Sequence, residues 1–201
     1  MLLPRRPAVI IAQYQPLSPV KIIMPSFSSH LLERIRQLIA TPSVSSVSPQ
    51  FDQSNRPVID LLAGWLEEAG FAVRIDPLPE RPDKANLVAT LGDGPGGLVL
   101  AGHTDTVPFD AGRWRYDPFA GAIADERIYG LGSADMKSFL ALAIEAAREF
   151  SVRDLRQPLV VLATADEESS MSGARALAAA NRPLGRHAVI GEPTGLKPIR
   201  M

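Results

Sequence analysis

Short apolar runs that alternate with helical patterns are the feature that most constrains how this chain of 201 residues can fold. Three of these runs are LVLAG (98–102), PLVVLAT (158–164) and HAVIG (187–191). Each run is too short for an ordinary helix and mostly apolar, which is typical of a strand buried on both faces of a sheet. The sequence therefore predicts an α/β fold, in which a mixed, mostly parallel sheet is flanked by helices.

Apolar residues at helical spacing, together with turn signals, predict the elements between and around these strands. Helices are expected at 28–40, 55–70, 135–150 and 172–181. Ser28 or Ser29 is a candidate cap for the first helix, and Gly70 is the expected end of the second. Further strands are expected at 71–76 and 86–92, a long loop at 103–120 and a small hairpin at 121–130.

Residues 1–23 differ from the rest of the sequence. They contain two arginines and a short apolar patch, as a signal peptide does. The patch has only about five residues, fewer than the ~7–15 of a signal-peptide core, and no small-residue cleavage site follows it. We interpret residues 1–23 as a disordered extension or a mis-assigned start, with Met24 as the alternative start and residues 24–201 as the folded part.

Composition excludes several classes of function. The net charge is −1 with acidic and basic residues interspersed, so we expect no nucleic-acid partner and no membrane-binding surface. No apolar run approaches the ~20 residues that a transmembrane helix needs. The chain has no cysteine, so any metal site must use His, Asp and Glu, and a cytoplasmic location is expected.

Acidic residues and one histidine follow the three apolar runs. They are His103 and Asp105 after the first run, Asp166, Glu167 and Glu168 after the second, and Glu192 after the third. Asp135 stands just before the long helix. Because the carboxyl ends of parallel strands meet at one edge of a sheet, these side chains are expected to converge there.

Carboxylates a few ångströms apart cannot all stay ionised unless a cation neutralises them. One histidine with several carboxylates suits zinc, cobalt or manganese. Taken singly, each residue also has a structural explanation. His103 can be a hydrogen-bonded core residue, Asp135 and Glu168 can cap the helices that follow them, and 166–168 can be a solvated acidic turn.

Four ordered motifs, GHTDTVP, YGLGSADMK, ADEE and GEPT, resemble the dinuclear zinc amidohydrolases and peptidases over residues 28–201. The resemblance implies a zinc-peptidase-like catalytic domain with two Zn²⁺ ions, or Co²⁺ in their place. It implies that His103 and Glu192 bind one ion, that Glu168 binds the other, and that Asp135 bridges both.

The same resemblance implies roles for two further residues. The carboxylate of Asp105 is expected to fix the imidazole of His103, and Glu167 to act as the general base. Adjacent residues of an extended strand point to opposite sides, so Glu167 and Glu168 are expected to diverge. By the same alternation, Asp105 is expected on the same side as His103.

The substrate implied is a small acyl-amino acid. Within that family, three longer stretches most resemble members that hydrolyse N2-acetyl-L-ornithine to L-ornithine and acetate, a step of arginine biosynthesis. The stretches are DQSNRPVIDLLAGWLEEAGF, AGHTDTVPFDAGRWRYDPF and LATADEESSMSGAR. The alternatives are another acyl-amino acid such as N-succinyl-diaminopimelate, a dipeptide, or a non-catalytic fragment. A nucleotide-binding domain is disfavoured, because the glycines of LGDGPGG lie between two strands, with no helix to hold phosphate.

The sequence departs from the family pattern at its C-terminal end. The family uses a late histidine as a fifth ligand and has an inserted lid domain through which members form homodimers. The sequence ends at Met201, and His30 and His187 are poor substitutes for that ligand. We therefore expect an incomplete catalytic domain that has little or no activity on its own.

Overall fold

The structure is a computed structural model and describes residues 29–200. Residues 1–23 and the candidate cap Ser28 lie outside the described residues. The helices are α1 (Ser29–Ala40), α2 (Arg56–Glu68), α3 (Lys137–Ala147) and α4 (Ser172–Ala180). The strands are β1 (Ala72–Pro77), β2 (Ala85–Leu91), β3 (Leu98–His103), β4 (Ala122–Ala124), β5 (Arg127–Tyr129), β6 (Leu159–Thr164) and β7 (His187–Ile190). Each helix and strand expected from the sequence is present, with small differences at the ends.

Five of the strands form one sheet in the order β1-β2-β6-β3-β7. β3 pairs in parallel with β6 and with β7, while β2 pairs antiparallel with β1 and with β6. All strands of this sheet except β2 therefore run in the same direction, which confirms the predicted mixed, mostly parallel sheet. β4 and β5 form the predicted hairpin, separate from the main sheet.

Helices cover both faces of the main sheet. On one face, Leu87 of β2 belongs to a core that includes residues of α1, α2 and α3. On the other face, Val88 of β2 and Val160 of β6 pack with Leu177 of α4. This burial on both sides explains why β2 and β6 are mostly apolar runs rather than alternating ones. The expectation that β7 is a buried strand is wrong for this chain, because all four of its residues are exposed. None of the helices within residues 29–200 is long and apolar enough to span a lipid bilayer.

The second helix ends where the glycine signal places it. Gly70 has a φ of 86°, in the left-handed region that favours glycine. Its N–H donates to the carbonyl of Glu67 at 2.9 Å, and the N–H of Phe71 donates to that of Leu66 at 3.0 Å. These bonds close the last turn of α2 and direct the chain into β1.

A buried lysine connects α1 with the segment that carries Asp135. Lys137 is 1% exposed, and its Nζ donates to the carbonyl oxygens of Leu38 (2.9 Å) and Thr41 (2.7 Å) at the end of α1. The last carbonyls of a helix lack partners within the helix, so a cation there satisfies them. The contact holds the start of α3, and with it Asp135, against the first helix.

Candidate metal centre

The ends of three parallel strands meet at one edge of the sheet. His103 is the last residue of β3 and lies opposite Thr164, the last residue of β6. On the other side of β3, Ile190 of β7 lies opposite Ala101. The residues that follow β6 and β7 therefore emerge beside His103.

Two further segments bring Asp135 and Glu192 to this edge. Asp135 comes from the loop before α3, and its peptide bond to Met136 is cis. Glu192 follows Gly191, where an added Cβ would lie 2.0 Å from Cγ of Phe139 in α3. A residue with a side chain does not fit in that space, so the glycine allows the chain to pass α3 and place Glu192 near His103.

Two groups of possible ligand atoms share His103. Its Nε2 lies 3.1 Å from Oδ1 of Asp135 and 4.0 Å from Oε1 of Glu192. The same nitrogen lies 4.0 Å from Oε2 of Glu167, which forms the second group with Glu168. Within each group, the ligand atoms lie within 4.8 Å of one another. Two ligands that are each about 2 Å from one zinc ion lie roughly 3–4 Å apart, so each group could hold a divalent cation after small shifts of the side chains.

The imidazole and the carboxylates approach the centre from different sides. The His103 side chain is 1% exposed, whereas those of Asp135 and Glu192 are 47% and 41% exposed. The histidine nitrogen is thus fixed in the interior, and the carboxylates of Asp135 and Glu192 are partly exposed to solvent. A small molecule can reach the carboxylates without any opening of the core.

Asp105 contacts both the histidine and the pair of glutamates. Its backbone oxygen lies 3.0 Å from Nδ1 of His103, and its carboxylate oxygen lies 3.6 Å from that nitrogen. The carboxylate accepts hydrogen bonds from the backbone N–H groups of Glu167 (3.2 Å) and Glu168 (3.0 Å). Asp105 therefore lies on the same side as His103, as predicted. Its carbonyl orients the imidazole, while its carboxylate holds the segment with the glutamates.

The pKa shifts in this site come from burial and from neighbouring charges. Burial disfavours the charged form of His103, but Asp105 and Asp135 outweigh it and raise the pKa of His103 to about 9. Burial and the charge of Asp135 raise the pKa of Glu168. Burial also raises the pKa of Glu192. A cation at this edge would remove the conflict among the carboxylates.

The expectation that Glu167 and Glu168 point to opposite sides is wrong. β6 ends at Thr164, and residues 167–170 form a turn rather than an extended strand. Asp166 has a φ of 57°, so the backbone changes direction just before the pair. Side chains alternate only along extended backbone, and here both carboxylates belong to one group with His103.

The helix-capping alternatives for Asp135 and Glu168 are not what the geometry shows. Met136 and Met171, rather than Asp135 and Glu168, occupy the N-cap positions of α3 and α4, and neither helix has a side-chain cap. The alternative of a solvated acidic turn holds in part, because residues 167–170 form a turn and Glu167 is 39% exposed, but Asp166 is buried. His30 and His187 are exposed and belong to neither ligand group within residues 29–200.

Sequence patterns missed the polar residues that support the site from behind. Lys84 is 1% exposed, and its Nζ contacts Asp52 and Asp166. Asn55 is equally buried and donates to Oγ1 of Thr104, next to His103. Charged and amide residues beside predicted strands and helices usually lie at the surface, so no signal in the sequence separates these from exposed ones.

Comparisons with known proteins agree with this geometry. A family model described as Peptidase family M20/M25/M40 matches residues 99–200, half of the chain. The acetylornithine deacetylase of Proteus mirabilis (strain HI4320) is 54% identical over 181 residues, which cover 90% of this chain and 46% of that protein. The chain therefore belongs to peptidase family M20/M25/M40, and it spans about half the length of the relatives it matches.

Solved structures with the same fold are more distant in sequence. Human carnosine dipeptidase 1 has a TM-score of 0.67 at 22% identity, with 80% of this chain and 38% of that one covered. An M20 family metallo-carboxypeptidase from Sulfolobus solfataricus has a TM-score of 0.58 at 20% identity, with 69% and 31% covered. These likenesses confirm the fold class.

Proposed function

We propose that this chain carries the metal-binding part of an acetylornithine deacetylase, which converts N2-acetyl-L-ornithine and water to L-ornithine and acetate. The supporting observation is the gathering of one imidazole and four carboxylates at one edge of the sheet. This occurs in a chain that is 54% identical, over the matched residues, to an enzyme of that name. The proposed reaction belongs to arginine biosynthesis and takes place in the cytoplasm, where a site without disulfides is in keeping with the redox conditions.

The proposal assigns four residues to two divalent cations. His103 and Glu192 would hold one ion, Glu168 would hold the other, and Asp135 would serve as a ligand of both. Support comes from the 3.1 Å between His103 and Asp135 and from the effect of the Asp135 charge on the pKa of Glu168. Zinc is the proposed metal and cobalt the alternative, and such ions polarise an amide carbonyl and lower the pKa of water.

Glu167 is the proposed general base. Its carboxylate is 39% exposed and lies on the solvent side of His103 Nε2, at 4.0 Å. It takes a proton from the attacking water and delivers it to the ornithine nitrogen as the C–N bond breaks. Water thereby supplies one oxygen of acetate and the two protons that the nitrogen gains, so the reaction needs no other reactant.

Asp105 acts through its neighbours rather than on the substrate. Its carbonyl oxygen accepts a hydrogen bond from Nδ1–H of His103, which leaves Nε2 free as a ligand atom. Its carboxylate holds the backbone of the base, Glu167, and of the ligand Glu168. One buried side chain thus sets the position of both halves of the site.

The activity test uses a chimera in which residues 29–200 of this chain replace the matching segment of the Proteus mirabilis enzyme. We expect the chimera to hydrolyse N2-acetyl-L-ornithine and to prefer it to N-succinyl-diaminopimelate and to dipeptides. Glu167→Gln should lower kcat by at least about 100-fold. The matched control, Glu149→Gln, changes an exposed glutamate outside both ligand groups and should leave kcat unchanged.

Other outcomes of this test contradict the proposal. If the chimera prefers a succinyl substrate or a dipeptide, the proposed substrate is wrong, but the proposed metal site stands. A folded, metal-loaded chimera that hydrolyses none of them would favour a non-catalytic segment. For the 201-residue chain itself, the corresponding measurement is calorimetric titration with Zn²⁺. Two bound ions per chain support the ligand assignment, and none would overturn it.

A further inference from the structure

Lys84 is a buried cation that the proposed reaction does not use. It lies immediately before β2, and its side chain is 1% exposed. Its Nζ donates to Oδ1 of Asp52 at 2.7 Å and to Oδ1 of Asp166. Both carboxylates are buried too, with side chains 4% and 7% exposed. Desolvation of three charges opposes the attraction among them, so stability alone is a weak reason for such a cluster.

Asp166 connects Lys84 to other parts of the fold. Its Oδ1 accepts a hydrogen bond from Oγ of Ser45, and its Oδ2 accepts one from Oγ of Ser172 at 2.7 Å. Its backbone oxygen accepts the N–H of Met171 at 2.7 Å. Three separate segments of the chain, around Ser45, Lys84 and residues 171–172, are therefore bonded to this one residue.

The backbone at Asp166 decides where the next two residues go. Its φ of 57° is uncommon for a residue other than glycine and persists only when the surroundings fix it. Glu167 and Glu168 follow directly, and their N–H groups bond to Asp105. The turn is thus held from the ligand side by Asp105 and from the opposite side by Asp166 with Lys84.

We propose that Lys84 is a positioning residue, which acts through Asp166 to fix the turn that presents Glu167 and Glu168 to the metal centre. This inference rests on the proposed function of that centre. Lys84 contacts neither the ligand atoms nor the solvent-facing side of the site. Its effect is therefore on the geometry of the second ligand group, while the group of His103, Asp135 and Glu192 does not depend on it.

The test compares the 201-residue chain with its Lys84→Met variant, in which an apolar side chain of similar length replaces the ammonium. In the metal-free protein, we expect amide hydrogen exchange at Glu167 and Glu168 to accelerate about tenfold more than exchange at Val161 in β6. In Co²⁺ titrations, followed by visible absorption, one of the two ions should bind about 10–100-fold more weakly while the other is unchanged. The combination separates a local effect on the turn from a general loss of stability.

Two further variants complete the design. Arg34→Met removes a buried cation that contacts Glu145 and Trp65 on the helices, and it should change neither cobalt affinity nor exchange at the turn relative to β6. Ser172→Ala removes one bond to Asp166 at a half-buried position, and it should reproduce the Lys84→Met effects more weakly. It also provides the measurement if Lys84→Met does not fold.

Specific results would overturn the inference. One such result is that Lys84→Met accelerates amide hydrogen exchange equally at the Glu167–Glu168 turn and in β6, while its affinities for both cobalt ions stay within twofold of those of the parent chain. Another is an equal loss of cobalt affinity in Arg34→Met. A parent chain that binds no divalent cation would overturn the proposed function, and the inference with it. If the parent chain binds two ions, and the variants match it in cobalt affinity and in amide hydrogen exchange, the inference alone is overturned.

Discussion

The Asp105→Asn substitution tests how one buried carboxylate holds the Glu167–Glu168 turn. In the native chain, its oxygens accept the N–H groups of Glu167 at 3.2 Å and of Glu168 at 3.0 Å. Asparagine has the same shape but presents an NH₂ group to one of these donors, so that N–H loses its acceptor. A hydrogen bond to a charged acceptor contributes about 1.5–3 kcal/mol.

A second effect of the substitution has the opposite sign. Removal of one negative charge relieves repulsion from the nearby carboxylates. The pKa of Asp105 decides which effect is larger. Burial raises this pKa, but His103 and the two N–H groups lower it more, so the folded state favours the charged form. We therefore expect the free energy of unfolding to fall by about 2 kcal/mol.

Urea unfolding at pH 7 in the presence of a chelator measures this change, and a Co²⁺ titration should show about 10–100-fold weaker binding. Asp110→Asn is the matched control, because the exposed carboxylate of Asp110 also accepts one backbone N–H, that of Gly112, at 3.0 Å. It should alter the unfolding free energy by no more than about 0.5 kcal/mol. The reasoning would be refuted if the Asp105→Asn variant had the same unfolding free energy and the same cobalt affinity as the parent chain.

Three other measurements follow from the structure. Burial raises the pKa of Asp52, but its bonds to Lys84 and other donors lower it more. The stability from Asp52 is therefore complete above its unfolded pKa of about 3.9 and is lost as pH falls through the lower native value, so the Tm difference from Asp52→Asn should shrink below about pH 4. A constant difference down to pH 3 would contradict this. Asn55→Ala leaves the buried N–H and carbonyl of Ala85 unpaired, and should cost about 2–4 kcal/mol in urea unfolding; a loss below 1 kcal/mol would not fit. Removal of Zn²⁺ from a saturated chain should lower Tm by about 5–10 °C, and His103→Ala should abolish that shift; equal shifts in both proteins would argue against the site.

Most residues of the candidate site could be placed from the sequence because they come at or just after the ends of predicted strands, whereas Asp135, in the loop before α3, does not follow this pattern. His103 and Glu192 come at or just after short apolar runs, and the direction of β3, β6 and β7 brings those ends together. Burial of a strand on both faces is a property of many residues at once, so it is visible in one sequence. The location of the ligands therefore follows from the fold class.

The support behind the ligands could not be predicted, because it depends on single contacts between distant residues. Lys84 and Asp166 are 82 positions apart, and no periodicity connects them. The backbone turn at Asp166 likewise depends on Ser172 and Ser45, which belong to other segments. For this reason, the rule for extended strands gave the wrong directions for the glutamates that follow.

The position of β7 at the end of the sheet has a consequence for the lifetime of a bound ion. Within the described chain, β7 pairs with β3 alone and all four of its residues are exposed, whereas β6 has a neighbour on each side. Peripheral strands detach far more often than central ones. Under the proposed assignment, an ion held by Glu192 is released when β7 detaches, while an ion held by Glu168 is released only when β6, in the middle of the sheet, opens. Replacement of bound zinc by an isotopic tracer would then proceed in two phases, a fast one and a slow one.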